Sequence, residues 1–171
     1  MTQSWADEVH RELSSAGVSV VGFVPDGGHK RLIELCLADK SMRTVVMTTE
    51  EEGIGLAAGA WLGGARSVLL MQSSGVGNVV NVLGMLKTCA IPLTIVVTMR
   101  GEAGEFNSWQ VPMGEATQAS FEIMGVKVTR ASSAAEVAPL VAAALDSEQP
   151  TAVLISQKVI GIKSFQDQTN Q

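Results

Sequence analysis

At 171 residues, with 46% hydrophobic and 17% charged side chains, the chain suits one domain of ordinary size and is apolar enough to bury a core. A net charge of −5 with no basic run argues against nucleic acid or an anionic membrane surface as partner, and no apolar stretch approaches the ~20 residues of a membrane span. Residues 1–16 lack the apolar centre of a secretory leader, and Cys36 and Cys89 stand far apart in apolar settings; both features lead us to expect a cytoplasmic protein with reduced thiols.

In chain order, Ser4 precedes a helical stripe of Trp5, Val9, Leu13 and Ala16 that Gly17 stops. Val18–Val24 predicts a buried strand, Pro25-Asp26-Gly27-Gly28 a turn, and His29–Ala38 a helix carrying Leu32, Ile33, Cys36 and Leu37 at helical spacing. Arg43–Met47 predicts the second strand. Thr49 then stands three residues before Glu52, the spacing of a capping box, so Glu50, Glu51 and Glu52 open a helix whose positive end favours carboxylates. Its continuation in Gly53, Gly55, Ala57, Ala58, Gly59 and Ala60, ended by Gly63-Gly64, is poor in helix propensity. Such a composition makes sense where another backbone or a flat ligand comes close.

Ser67–Gln72 predicts a strand, and Ser73–Asn78 (SSGVGN) a glycine-bearing loop before a helix over Val79–Lys87. Strand, glycine loop and helix together offer N–H groups to an anion or polar ligand, but the third glycine of a dinucleotide fingerprint and the lysine of a P-loop are missing. Leu93–Met99 predicts a strand, Arg100–Gly114 a polar loop, Glu115–Met124 a helix and Val126–Thr129 a short strand. Ser133 with Glu136 makes a second capping box, opening Ala134–Leu145, and Thr151–Ser156 predicts the last strand. Gly161–Gln171 reads as a loose polar tail, or an arm that orders on a partner.

Strands that are apolar along their whole length and alternate with helices predict an α/β fold: a three-layer parallel sheet with helices on both faces, over residues 1–160, followed by the 161–171 tail. Ligands of such sheets gather at the carboxyl ends of the strands. The loops expected there are 25–29, 48–51, 72–78 and 100–114.

The segments EEEGIGLAAGAWLGG, VLLMQSSGVGN, IPLTIVVTMRGEAGE and QVPMGEAT, with Val24-Pro25-Asp26 ahead of them, closely resemble the pyrimidine-binding domain of the thiamine-diphosphate (ThDP) enzymes of the sulfopyruvate and phosphonopyruvate decarboxylase family. The resemblance covers residues 18–160. It implies the ThDP pyrimidine-domain fold and an alpha subunit of a two-chain 2-keto acid decarboxylase, a carboxy-lyase. It also implies a glutamate in the pattern E-x-G-x-x-x-A-A that hydrogen-bonds the cofactor's aminopyrimidine. Glu51 is the match, running through Gly53 to Ala57-Ala58, which leaves Glu50 as a pocket-edge charge and Glu52 as a capping residue.

By the same resemblance Thr49, Gln72, Ser74, Gly75 and Asn78 are cofactor neighbours. His29 is a second catalytic candidate, and His29, Gly28, Arg100 and Trp109 are candidates for meeting substrate. Each has a plainer alternative: a turn that merely starts a helix, a partly exposed histidine, an Arg100 paired with Glu102 or Glu105. Ser73 and Phe106-Asn107-Ser108-Trp109 depart from the family pattern, and Trp109 points to a bulkier 2-keto acid or to an interface anchor. The G-D-G…N signature that holds Mg²⁺ and the diphosphate in ThDP enzymes is missing here, which implies a beta subunit that carries both, no metal ligands in this chain, and a hetero-oligomer with alpha–alpha contacts. Two further readings stay open: a component of a ThDP-dependent, acetolactate-synthase-like carboligase, and a non-catalytic nucleotide-binding or regulatory α/β module.

Overall fold

The computed structural model describes residues 4–161; the expected tail beyond Gly161 lies outside the described residues. Six strands, β1 (Val18–Phe23), β2 (Arg43–Val46), β3 (Arg66–Gln72), β4 (Thr94–Thr98), β5 (Lys127–Ala131) and β6 (Thr151–Ile155), form one sheet in the order β2-β1-β3-β4-β6-β5. Every pairing is parallel. Parallel strands need crossovers, and helices supply them: α2 (Lys30–Ala38), α3 (Glu50–Leu62), α4 (Ser73–Thr88), α5 (Val111–Ile123) and α6 (Ala134–Leu145), while α1 (Trp5–Ser15) precedes β1 and a short α7 (Gln157–Ile160) follows β6.

Alternate strand side chains enter two cores, as the period of two requires. Val21, Phe23, Leu70, Val96 and Val153 face α1, α2 and α6, while Leu69, Met71, Ile95, Val97 and Leu154 face α3, α4 and α5. This is the three-layer arrangement expected from the uninterrupted apolar strands. Among the described residues no helix is long and apolar enough to cross a membrane.

The two expected capping boxes form with a difference. Glu52 Oε2 accepts from the amide of Thr48 at 2.8 Å, and Glu136 Oε2 from that of Ser132 at 2.7 Å. Thr49 and Ser133 sit at the N-caps but make no side-chain cap bond. In both, the carboxylate closes the turn by reaching one residue further back than the usual box.

Two helix starts correct the sequence reading. The SSGVGN segment is not a loop: α4 begins at Ser73, directly after β3, with Gln72 as N-cap. Serine and glycine lower propensity without forbidding a helix, and the apolar face of Val76, Val79, Leu83 and Leu86, all fully buried, outweighs it. Likewise α5 begins at Val111 behind a single 3-10 turn over Ser108–Gln110. Pro112 falls in its first turn, where the missing N–H costs nothing.

Candidate active site

The segments that leave the carboxyl ends of β1, β2, β3, β4 and β6 lie along one edge, and a buried carboxylate is the hub that joins those of β1, β3 and β4. Asp26, just past β1, has a side chain only 5% exposed. Its Oδ2 accepts from the Thr98 hydroxyl at 2.6 Å and from the Gly28 amide at 3.1 Å, and its Oδ1 accepts from Gln72 Nε2 at 2.7 Å. His29 Nδ1 lies 3.6 Å from Oδ2, an ion-pair distance longer than a hydrogen bond. Burial alone would raise the carboxyl's pKa, but the neighbouring imidazole and the Thr98 and Gly28 donors outweigh it and hold it well below the usual range. Gly28 is required there: a Cβ would stand 2.8 Å from Asp26 Oδ2 and 2.9 Å from Thr98 Cγ2.

His29 is fully buried, under the edge of the Trp5 ring at 6.3 Å between centroids. It caps α2 without a side-chain cap bond, and neither ring nitrogen has a hydrogen-bond partner. In this arrangement it faces Asp26 and has no surface to offer a substrate. Gln72 carries the network outward, its Oε1 accepting from the Ser74 hydroxyl at 2.8 Å.

Arg100, after β4, takes the plainer of its two expected roles. Its guanidinium is bound by Glu105, itself 1% exposed, and stacks over the Phe106 ring at 5.8 Å. Glu105 also accepts from the amides of Gly101 and Asn107 and from Gln157 Nε2 at 2.9 Å. The guanidinium and these donors hold its carboxyl well below the usual range. The Arg100 amide donates to Ser73 Oγ at 2.9 Å, joining this loop to the start of α4. Glu102 pairs instead with Arg130 and accepts from Ser156 and Gln157. The expected polar loop is therefore pinned at both carboxylates, and it presents Phe106 and Trp109 outward, 52% and 68% exposed.

The three glutamates that open α3 have three different surroundings. Glu52 makes the cap just described. Glu50, expected at a pocket edge, is buried: its Oε2 accepts from Asn78 Nδ2 at 2.8 Å, and its carboxyl lies against Gly75, where a Cβ would come within 2.2 Å of it. The reason is helical phase, since Glu50 and Ile54 share the inward face. Glu51 is exposed, on the same face as the exposed Gly55 and Gly59, beside which there is open space. Thr49 is half-buried next to it.

A narrow crevice of about 10 Å³ at this edge is lined by Asp26, Gly28, Gln72, Thr98, Arg100 and Gln157 among others. A hollow of about 490 Å³ lies at the opposite edge, between Gly17, Trp61, Arg66 and Leu93. It sits at the amino ends of the strands, away from every motif above, and parallel sheets bind at the other end. Asp26, Thr98, Gln110 and Gln157 were not among the candidates from sequence. The Pro-Asp-Gly-Gly turn did carry a signal for Asp26, because an aspartate there bonds the amide two residues on.

No protein-family model matches the sequence. The chain is 34% identical over 155 residues to the sulfopyruvate decarboxylase subunit alpha of Methanococcus maripaludis, covering 88% of this chain and 93% of that protein. It is 39% identical over 132 residues to the same subunit of Methanothermobacter thermautotrophicus, covering 77% and 80%. A phosphonopyruvate decarboxylase of Streptomyces viridochromogenes is 38% identical over 94 residues, 54% of this chain and 24% of that one. In shape the chain is similar to part of a 2-oxoglutarate:ferredoxin oxidoreductase from Magnetococcus marinus, with TM-score 0.72, 14% identity and 92% of this chain covered. It is also similar to a putative thiamin diphosphate-dependent enzyme from Mycobacterium smegmatis, with TM-score 0.71, 15% identity and 95% covered. It spans 29% and 34% of those two chains, and the likeness is one of fold. The long alignments at above 30% identity decide the matter: the chain belongs to the family of sulfopyruvate decarboxylase alpha subunits.

Proposed function

We propose that the chain is the pyrimidine-binding half of a ThDP-dependent 2-keto acid decarboxylase and that Glu51 is the carboxylate it brings to the cofactor. The observation that carries this reading is the division of labour at the start of α3. Glu50 is spent on Asn78 and Glu52 on the Thr48 amide, whereas Glu51 is exposed at the carboxyl edge. The residues fit the group: an exposed carboxylate stands at a helix start, beside a face whose Gly55 and Gly59 leave room for a flat ring or a partner's backbone.

When bound, ThDP supplies the electron sink for loss of CO₂ from a 2-keto acid. Glu51 would share a hydrogen bond with a ring nitrogen of the aminopyrimidine and hold a proton between them. Thr49 adjoins Glu51 in the chain, Gln72 and Ser74 would reach the cofactor from the end of β3, and Gly75 and Asn78 would do so from the start of α4. His29 acts through Asp26 rather than by touching substrate. The diphosphate and Mg²⁺ fall to a beta subunit, and the site is completed when the two chains meet. The relatives' names, all decarboxylases, favour this over a carboligase or a nucleotide-binding module. With Arg100 bound to Glu105, the substrate's distal group meets Trp109 and the partner chain rather than a free guanidinium.

The test is proton exchange at the reactive thiazolium carbon of ThDP bound to the reconstituted pair. Glu51→Gln is nearly isosteric and lowers the exchange rate by about 10²–10⁴-fold, the usual cost of a lost acid–base group. Unchanged exchange with cofactor still bound would assign the carboxylate elsewhere.

A further inference from the structure

We infer that the hollow at the amino ends of the strands is a second ligand site, and that it takes a small organic anion with a flat apolar body, of the aryl carboxylate class. The inference is independent of the role proposed for Glu51. At about 490 Å³ the hollow has the size of a small-molecule site, whereas the crevice at the carboxyl edge holds about 10 Å³. Substrates of parallel sheets bind at that other edge, so a ligand here is held apart from the reaction.

The lining is cationic in an acidic protein. Arg66 is its ionisable side chain and no carboxylate lines it, although the chain carries a net charge of −5. Asp146 and Glu148 flank Ser147 in the sequence, but both are exposed and lie outside the lining. Arg31, Arg100 and Arg130 each pair with an acid, whereas Arg66 makes no ion pair among the described residues. Its Nη1 donates instead to the Ala16 carbonyl at 2.8 Å, which ties the guanidinium to the turn between α1 and β1. That bond uses a fraction of its donors, and the remainder suit the paired oxygens of a carboxylate. Helices α3 and α6 end at this edge, and a free carboxyl end would disfavour an anion. Here the carbonyls of Gly59, Ala60, Trp61, Ala142 and Ala144 are already taken by the amides that close those two ends.

The backbone and the apolar wall fit the same occupant. The register of β1 against β3 shifts between Val18, opposite Arg66, and Val20, opposite Ser67, so Ser19 is the extra residue of a bulge. Bulges are rare in parallel pairs and commonly re-aim a side chain beside a site. This one brings Ser19 into the lining with Ser67, and neither hydroxyl has a protein partner among the described residues. Trp61, in the last turn of α3, is 41% exposed and has no ring or cation partner among them either. With Pro92, Leu93 and Leu145 it supplies a wall on which a flat ring stacks. Gly17 and Gly64, both at positive φ and with nothing within 4 Å of where a Cβ would stand, leave the space clear.

The test is an NMR titration of the isotope-labelled full chain, with benzoate as the probe and benzamide, benzamidinium and inorganic phosphate as controls. Benzoate is expected to move the Trp61 indole N–H and the amides of Gly64, Arg66 and Ser67 together, and to saturate in the millimolar range, the ordinary scale for so small a ligand. Benzamide lacks the charge and phosphate the ring, so each should bind about tenfold more weakly, and benzamidinium should not bind. Arg66→Gln and Trp61→Ala, both at exposed positions, should each weaken benzoate by about tenfold while signals from the carboxyl edge stay in place. Trp61→Ala leaves the bond to Ala16 intact, so it decides the case if Arg66→Gln disturbs the turn; the backbone amides are then the readout. The inference is overturned if benzoate leaves these signals unmoved, if benzamide, benzamidinium or phosphate binds as tightly as benzoate, or if Trp61→Ala binds benzoate undiminished. It is overturned equally if the shifts gather at Asp26, Gly28 and Gln72, which would put the anion at the carboxyl edge.

Discussion

Arg100 and Glu105 meet side by side, guanidinium Nε 2.6 Å from carboxylate Oε2 and Nη2 2.6 Å from Oε1, so that the pair makes two parallel charge-assisted bonds. Removing one partner leaves the other charged and poorly solvated. Glu105→Gln is expected to cost roughly 2 kcal/mol, less than the ~3–5 of a fully enclosed pair because this one lies at the rim of the molecule. Chemical denaturation checks the figure. Limited proteolysis should at the same time open the 100–110 segment, since Gln157 and the Gly101 and Asn107 amides are left to share the one oxygen the amide keeps.

Acid should destabilise the fold in a defined window. Asp26 and Glu105 both have folded-state pKa values below their ordinary ones, so the unfolded chain binds more protons as pH falls through the ordinary carboxylate value of about 4. Their stabilisation is therefore complete above that pH and is lost progressively below it. Urea midpoints measured from neutral pH downwards should hold level to about pH 5 and then fall. Asp26→Asn should start from a lower midpoint and fall less steeply.

The two thiols should differ sharply in reactivity. Burial, helped by the nearby Asp39 charge, pushes the Cys36 thiol up to about 12, whereas Cys89 is exposed at the end of α4. A thiol-exchange reagent at mildly alkaline pH should label Cys89 at once and Cys36 only on unfolding. Two fast thiols in the native chain would contradict the packing of α2.

Neighbouring glycines of α3 should respond in opposite directions to alanine. At Gly53 a Cβ would come within 2.4 Å of Leu69 Cδ1, so Gly53→Ala is expected to destabilise by ~1–3 kcal/mol through overpacking. At Gly55 nothing lies within 4 Å, and the isolated chain should gain up to about 1 kcal/mol of helix propensity. If this face docks against a partner, as proposed, Gly55→Ala should weaken assembly while raising the melting temperature of the lone subunit. Analytical ultracentrifugation with and without the beta chain separates the two effects.

The sheet was legible because its strands are apolar throughout. Ser67–Gln72 and Thr151–Ser156 differ from β3 and β6 by a single residue at one end, and Ala134–Leu145 coincides with α6. The starts of α4 and α5 were not legible. Their opening residues, SSGVGN and VPMG, carry weak local preference, and tertiary burial of Val76 and Phe121 settles them as helix. At the site, the sequence located the edge and the glutamate cluster, but not which glutamate turns inward. That depends on the helical phase of α3 and on the space at Gly75, a contact between segments distant in sequence. The surroundings of Arg100 and His29 were not legible for a related reason: Glu105 and Asp26, which face them, are short-range neighbours whose pairing needs the loop conformation to be known.

The Thr98 hydroxyl and Asp26 are 72 positions apart in the chain yet share a 2.6 Å hydrogen bond, and Gln72 reaches the same carboxylate from the strand between them. The hub thus exists only when β1, β3 and β4 are in register, and it is untouched by whether β2 or β5, at the two margins, are in place. Loop closure over such separations must be completed before these bonds can form, so they mature late in folding. Once formed, they open only with the middle of the sheet, and the slowest-exchanging amides should lie in those three strands. A chain that has frayed at either margin still carries an intact aspartate hub.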